Sequence, residues 1–120
     1  MPVTTHRKRR GAETQRAVAA YLAENGWGYA TDAGAGRGGV DILGTPGLDI
    51  EVKARRDLSL MAWLRQAAGT GGGLPIVVHR PDGMGLASVD LWPATLHLGQ
   101  LVPVLRAAGY GDPLPGDGAA

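Results

Sequence analysis

Cysteine is absent from the 120 residues. That excludes disulfides, thiolate nucleophiles and thiolate zinc sites together, and it fits a reducing cytoplasm. Phenylalanine is absent as well, so the core has to be built from Val, Leu, Ile, Ala and the tryptophans. Histidine is confined to His6, His79 and His97, a scatter that does not suggest zinc. No apolar run approaches the roughly 20 residues needed to cross a bilayer, and the amino terminus carries no apolar signal segment. A soluble, cytoplasmic protein with no membrane partner is the expectation.

What is present is ordinary for a globular domain: 44% hydrophobic and 19% charged residues, in a chain long enough for one core and too short for two. The net charge of +1 hides an uneven distribution. Arg7, Lys8, Arg9 and Arg10 are consecutive, whereas Asp82, Asp90, Asp112 and Asp117 stand against Arg106 alone in the last third. A basic run of this kind suits a phosphate-binding arm and equally suits a solvated tail. The expected division is a basic arm over 1–10, one domain over 11–108 and a loose tail over 109–120.

Apolar spacing predicts a helix over 12–25, with Val18, Tyr21 and Leu22 on one stripe and Glu13 in its first turn. A glycine-rich connector, 34–39, leads into two β-branched runs, Val40 to Leu43 and Leu48 to Lys53, separated by turn residues. Ser59 is a candidate cap for a helix through Ala68, since Leu60, Trp63, Leu64 and Ala67 follow helical spacing. Pro75 to His79 and Leu86 to Trp92 read as a second strand pair around Pro81, Asp82 and Gly83. Leu101, Val104, Leu105 and Ala108 predict a closing helix that tolerates Pro103 only in its first turn.

Gly34, Gly36 and Gly39 match a dinucleotide-binding fingerprint. That fingerprint works between a strand and a helix whose N-terminus meets the pyrophosphate, and here it precedes the Val40–Asp41–Ile42 strand. No nucleotide cofactor is expected. The loop is either a simple connector or a close approach to a DNA backbone, with Arg37 at phosphate.

The two runs after it carry more. With Thr45, Pro46 and Gly47 as a three-residue hairpin loop, Asp41 falls opposite Glu51 and Ile42 opposite Ile50. Side chains alternate, so one face holds Val40, Ile42, Ile50 and Val52 and the other Asp41, Leu43, Asp49, Glu51 and Lys53. Two facing carboxylates repel unless a cation lies between them. Oxygen donors without imidazole or thiolate suit Mg²⁺, with Mn²⁺ as a substitute, and Lys53 is placed to orient a water or stabilise charge on a phosphate. The plain alternative is a solvated strand face with Lys53 neutralising its neighbours.

Glu13 on the first helix, Gly39-Val40-Asp41 opening a strand and Glu51-Val52-Lys53 closing the next resemble the PD-(D/E)XK nuclease superfamily, most closely its small Holliday junction resolvases of archaea and phages. The likeness spans about residues 10 to 92 and departs at Val40, where the name of the superfamily has proline. It implies an α/β fold with a central mixed sheet flanked by helices, a restriction-endonuclease-like core. It further implies metal binding by Asp41 and Glu51 with the Val52 carbonyl, completion of the site by Glu13, assistance to the attacking water by Lys53, and a supporting role for Gln66 on the following helix. The expected activity is Mg²⁺-dependent endonucleolytic resolution of four-way junctions by a homodimer, in the cytoplasm of a bacterial or phage-infected cell. The alternatives are a nuclease for other DNA (nickase, flap or repair) and a catalytically silent DNA-binding module. Arg55 and Arg56, directly after Lys53, extend the expected phosphate-binding surface. His79 and Arg80 receive no assigned role; Trp63 and Trp92 are assigned to the core or a subunit interface, and Trp27 to packing beside the first helix.

Overall fold

A computed structural model describes residues 3–34 and 39–113. Their elements, in chain order, are α1 (Val3–Glu24), β1 (Thr31–Asp32), β2 (Ile42–Leu43), β3 (Leu48–Lys53), α2 (Leu60–Ala68), β4 (Leu74–His79), a 3₁₀ helix (Leu86–Leu91), β5 (Ala94–Thr95) and α3 (Leu98–Ala107). Arg37 and residues 114–120 of the expected tail lie outside the described residues.

The fold is mixed α/β, as expected. β3 and β4 run parallel, with Glu51 beside Val77 and Lys53 beside His79, and β5 adds antiparallel to the other edge of β4. Parallel neighbours need a long crossover, and α2 supplies it. Helices cover both faces of this sheet. Val18 and Ala19 of α1 pack with Ile42, Ile50, Val52 and Trp92, whereas Trp63, Leu64 and Ala67 of α2 pack on Val77. Even-numbered residues of β3 therefore face α1, and odd-numbered ones lie on the α2 side. Trp63 and Trp92 are core residues; Trp27 is partly exposed at the end of α1.

Several boundaries depart from the sequence reading. Helix α1 begins at Val3 and absorbs the basic run, so Arg7 to Arg10 are helical residues rather than an extended arm. Lys and Arg are good helix formers, and one glycine, Gly11, costs only about 1 kcal/mol. The expected ladder between 40–43 and 48–53 is reduced to one backbone bond, Asp41 N–H to the Ile50 carbonyl (3.1 Å). β2 instead pairs antiparallel with Thr31–Asp32, a strand too short to leave a periodic signal. The segment 86–92 is not a strand: Ser88 and Asp90 disfavour one, and Ser88 and Trp92 donate to carbonyls three residues back in 3₁₀ fashion. The edge partner of β4 is Ala94–Thr95. Helix α3 starts at Leu98, before the expected 101, which leaves Pro103 inside it and removes one helical hydrogen bond. Leu98, Val102, Val104 and Leu105 of α3 are exposed. No helix among the described residues is long and apolar enough to cross a membrane.

Gly44 turns the chain from β2 toward β3 at φ +79°, and a Cβ there would clash with the Tyr29 carbonyl oxygen. Gly11 is helical with open space around its Cα. Gly44→Ala is therefore expected to destabilise by about 1–3 kcal/mol for the left-handed φ alone, with the clash adding to it. Gly11→Ala should stabilise by about 0.5–1 kcal/mol. Urea titrations of the two variants check the opposite signs, and equal midpoints would refute this placement of the turn.

Candidate active site

The odd face of β3 is polar and yet covered. Asp49 and Glu51 are buried, at 6% and 3% exposure, so the plain alternative of a solvated strand face does not hold: α2 lies over it. Asp49 has a structural role, because its Oδ2 accepts the Gly73 N–H at 2.7 Å and ties down the glycine-rich turn after α2. Glu51 has less support. Its Oε1 lies 3.4 Å from Lys53 Nζ, while Oε2 is buried and meets no donor.

Asp41 reaches the same place from the loop before β2. Its Oδ2 accepts the Val52 N–H at 2.8 Å. The backbone pattern explains why Val52 is available. The Lys53 carbonyl accepts Arg80 N–H beyond the end of β4 (2.8 Å), and the Ile50 carbonyl accepts Asp41 N–H. Backbone groups alternate in direction along a parallel pair, so those of Ile50 and Val52 point away from β4 toward Asp41. The Val52 carbonyl thus emerges on the edge where Asp41 sits.

Burial raises the Glu51 carboxyl from its ordinary value near 4.5 to about 7; the Asp41 charge adds to the rise and Lys53 partly offsets it. As two carboxylates these groups are acceptors only. A proton on Glu51, or a cation, satisfies the orphaned oxygen. Lys53 donates to Gln66 Oε1 at 2.9 Å, so the glutamine on α2 does join the constellation, and it holds the ammonium beside Glu51.

Glu13 does not. Among the described residues no three His, Asp or Glu side chains converge closely enough to hold a metal together. The Glu13 carboxylate lies 3.5 Å from Arg80 Nη1. The even position of Arg80 turns it to the α1 side of the sheet, and there it captures Glu13. Arg80 itself is buried: Nη1 also donates to Thr14 Oγ1 (3.1 Å), Nε donates to the Met84 carbonyl (2.9 Å), and the guanidinium lies 5.6 Å from the Trp92 ring centre. Sequence reasoning left Arg80 without a role; a cation directly after an apolar strand was the available signal. His79 is structural, bonded through Nε2 to the Arg55 carbonyl (2.9 Å) and packed on Trp63. The Arg55 and Arg56 side chains are exposed just past β3, as are Arg7, Lys8 and Arg9 on α1.

The donor set of Asp41, Glu51 and the Val52 carbonyl fits a hard divalent cation. It provides oxygens only, one of them buried without a partner, and few enough that Mg²⁺ would keep several waters, as it does in sites with one or two carboxylates.

Without a cation, folded Glu51 retains a proton that the unfolded chain releases. Its contribution to stability is complete below about pH 4.5 and is lost as pH rises through about 7. Metal-free melting temperatures of the parent should fall across that window, and those of Glu51→Gln should fall much less. Coincident curves for the two proteins would mean that the carboxyl is solvated.

No protein family, curated protein or solved structure matches this chain.

Proposed function

We propose that the chain is a Mg²⁺-dependent DNA endonuclease, built on a restriction-endonuclease-like core and acting as a homodimer on four-way junctions in the cytoplasm. The observation that carries the reading is the buried, donorless Oε2 of Glu51 beside Asp41, with the Lys53 ammonium held alongside by Gln66. A structural carboxylate is given donors, as Asp49 is; one left without them and set against a second carboxylate is arranged for a cation.

Asp41, Glu51 and the Val52 carbonyl would hold the ion. When bound, the ion supplies a water acidic enough to attack near neutral pH and offsets charge on the phosphate. The residues of the chain do the positioning. Val52 N–H fixes the Asp41 carboxylate, and the Gln66 carbonyl leaves the Lys53 ammonium its remaining protons to orient the attacking water or meet a phosphate oxygen. The basic residues of α1, with Arg55 and Arg56, provide phosphate contacts that do not read sequence. A junction has near two-fold symmetry and requires two matched cuts, which a two-fold symmetric dimer delivers.

A second reading, a DNA-binding module without catalysis, rests on Glu13 standing with Arg80 instead of Asp41 and Glu51. Labelled junction, flap, nicked and linear DNAs incubated with Mg²⁺ separate the readings. Paired symmetric nicks confined to the junction are expected, and equal cutting of linear duplex would sink the junction preference. Asp41→Asn should abolish cleavage. The ion should stabilise the parent by about 2.7 kcal/mol at a hundredfold excess over Kd, a melting shift of several degrees, and the variant by far less. Identical ion-induced shifts would remove Asp41 from the ligand set, and binding without any cutting would favour the silent module.

A further inference from the structure

The basic residues of α1 do not all face the same way. His6, Arg9 and Arg10 join Glu13 and Arg80 in lining a cleft of about 230 Å³, and Arg7 and Lys8 are not among its walls. The cleft lies on the α1 side of the sheet, at the carboxyl ends of the parallel strands, because Arg80 donates its backbone N–H to the Lys53 carbonyl. It therefore backs onto the candidate active site, from the opposite face.

Its charge is out of balance. Three guanidinium groups share one carboxylate, and the Glu13–Arg80 contact is long, at 3.5 Å, with the Glu13 side chain 37% exposed. A partly exposed pair of that length contributes little. Arg80 is fixed by the Met84 carbonyl and Thr14, and these contacts, with Glu13, occupy Nε and Nη1; Nη2 makes none among the described residues. Thr14 is in turn fixed, donating to the Arg10 carbonyl. The long Arg10 bond to the Pro81 carbonyl (3.4 Å) orients that side chain weakly. A rigid buried guanidinium with donors in hand, flanked by two adjustable ones, matches a tetrahedral oxyanion.

We propose that this cleft is a discrete subsite for one DNA backbone phosphate, separate from the phosphate that is cut, and that Glu13 is its exchangeable counter-ion, holding Arg80 until the phosphate replaces it. The proposal rests on the DNA-binding part of the reading above and is independent of hydrolysis.

The test is DNA binding by the full chain in EDTA, followed by fluorescence anisotropy of labelled duplex and junction over a range of KCl concentrations. Each lost phosphate contact lowers the log–log salt slope by about 0.9. Arg9→Gln with Arg10→Gln should therefore lower the slope by about 1 to 2, and Arg7→Gln with Lys8→Gln by clearly less. Glu13→Gln should tighten binding severalfold, because the phosphate no longer has a carboxylate to displace. Equal losses from the two basic pairs would replace the cleft with a diffuse basic surface, and weaker binding by Glu13→Gln would end the counter-ion role. A parent melting shift with inorganic phosphate over chloride at matched ionic strength, combined with unchanged slopes in the Arg9/Arg10 variant, would assign the cleft to a free phosphate and overturn the proposal. No divalent ion is present, so failure of cleavage elsewhere does not affect these outcomes.

Discussion

Strand β3 is covered by a helix on each side, and only one of its faces is apolar. Ile50 and Val52 meet α1 in the conventional way. Asp49 and Glu51 are carried under α2 by the same alternation, because a strand cannot place neighbouring residues on one side. Burying two carboxylates in a domain of this size is costly unless each finds a partner. Asp49 finds a backbone N–H. Glu51 finds one lysine and a second carboxylate, and its Oε2 meets no donor; the rest of the site is arranged around that imbalance.

The sheet topology converts the imbalance into a located site. β3 bonds to β4 along one edge, which leaves the backbone groups of Ile50 and Val52 directed at the other. Asp41 comes in along that free edge, anchored twice, through its own N–H and through its carboxylate. Had β2 formed a full ladder with β3, those groups would have been consumed by strand pairing. The short β2, drawn off to pair with β1, leaves the edge available for a side chain.

The candidate active site and the proposed phosphate cleft meet at the ends of β3 and β4, one on each face of the sheet. Lys53 belongs to the carboxylate side through Gln66 and Glu51, and Arg80 belongs to the α1 side through Thr14 and Trp92, while one backbone hydrogen bond joins the two residues. Neighbouring strands lie about 5 Å apart, so Lys53 and Arg80 sit in a fixed relation set by the sheet.

Period-two patterning along Leu48 to Lys53, with helical spacing through Trp63, Leu64 and Ala67, was enough to assign β3, α2 and the division of β3 into apolar and charged faces. Those are local properties, and residues two or four apart report them directly. Asp41, Glu51 and Lys53 were legible for the same reason, from the phase of the strand runs, whereas Gln66 was reached only through the resemblance to PD-(D/E)XK nucleases. What covers a face is not local. Nothing near Glu51 announces that α2 will bury it, that β4 will pair with β3 in parallel, or that Thr31–Asp32 will take β2 away from the hairpin. The partner of Glu13 was likewise decided by Arg80, which is 67 positions distant. Residue order along the chain is sufficient to assign which residues share a side of a strand or helix; which of those sides see water is set by the fold, because burial depends on segments far apart in the chain meeting across the sheet.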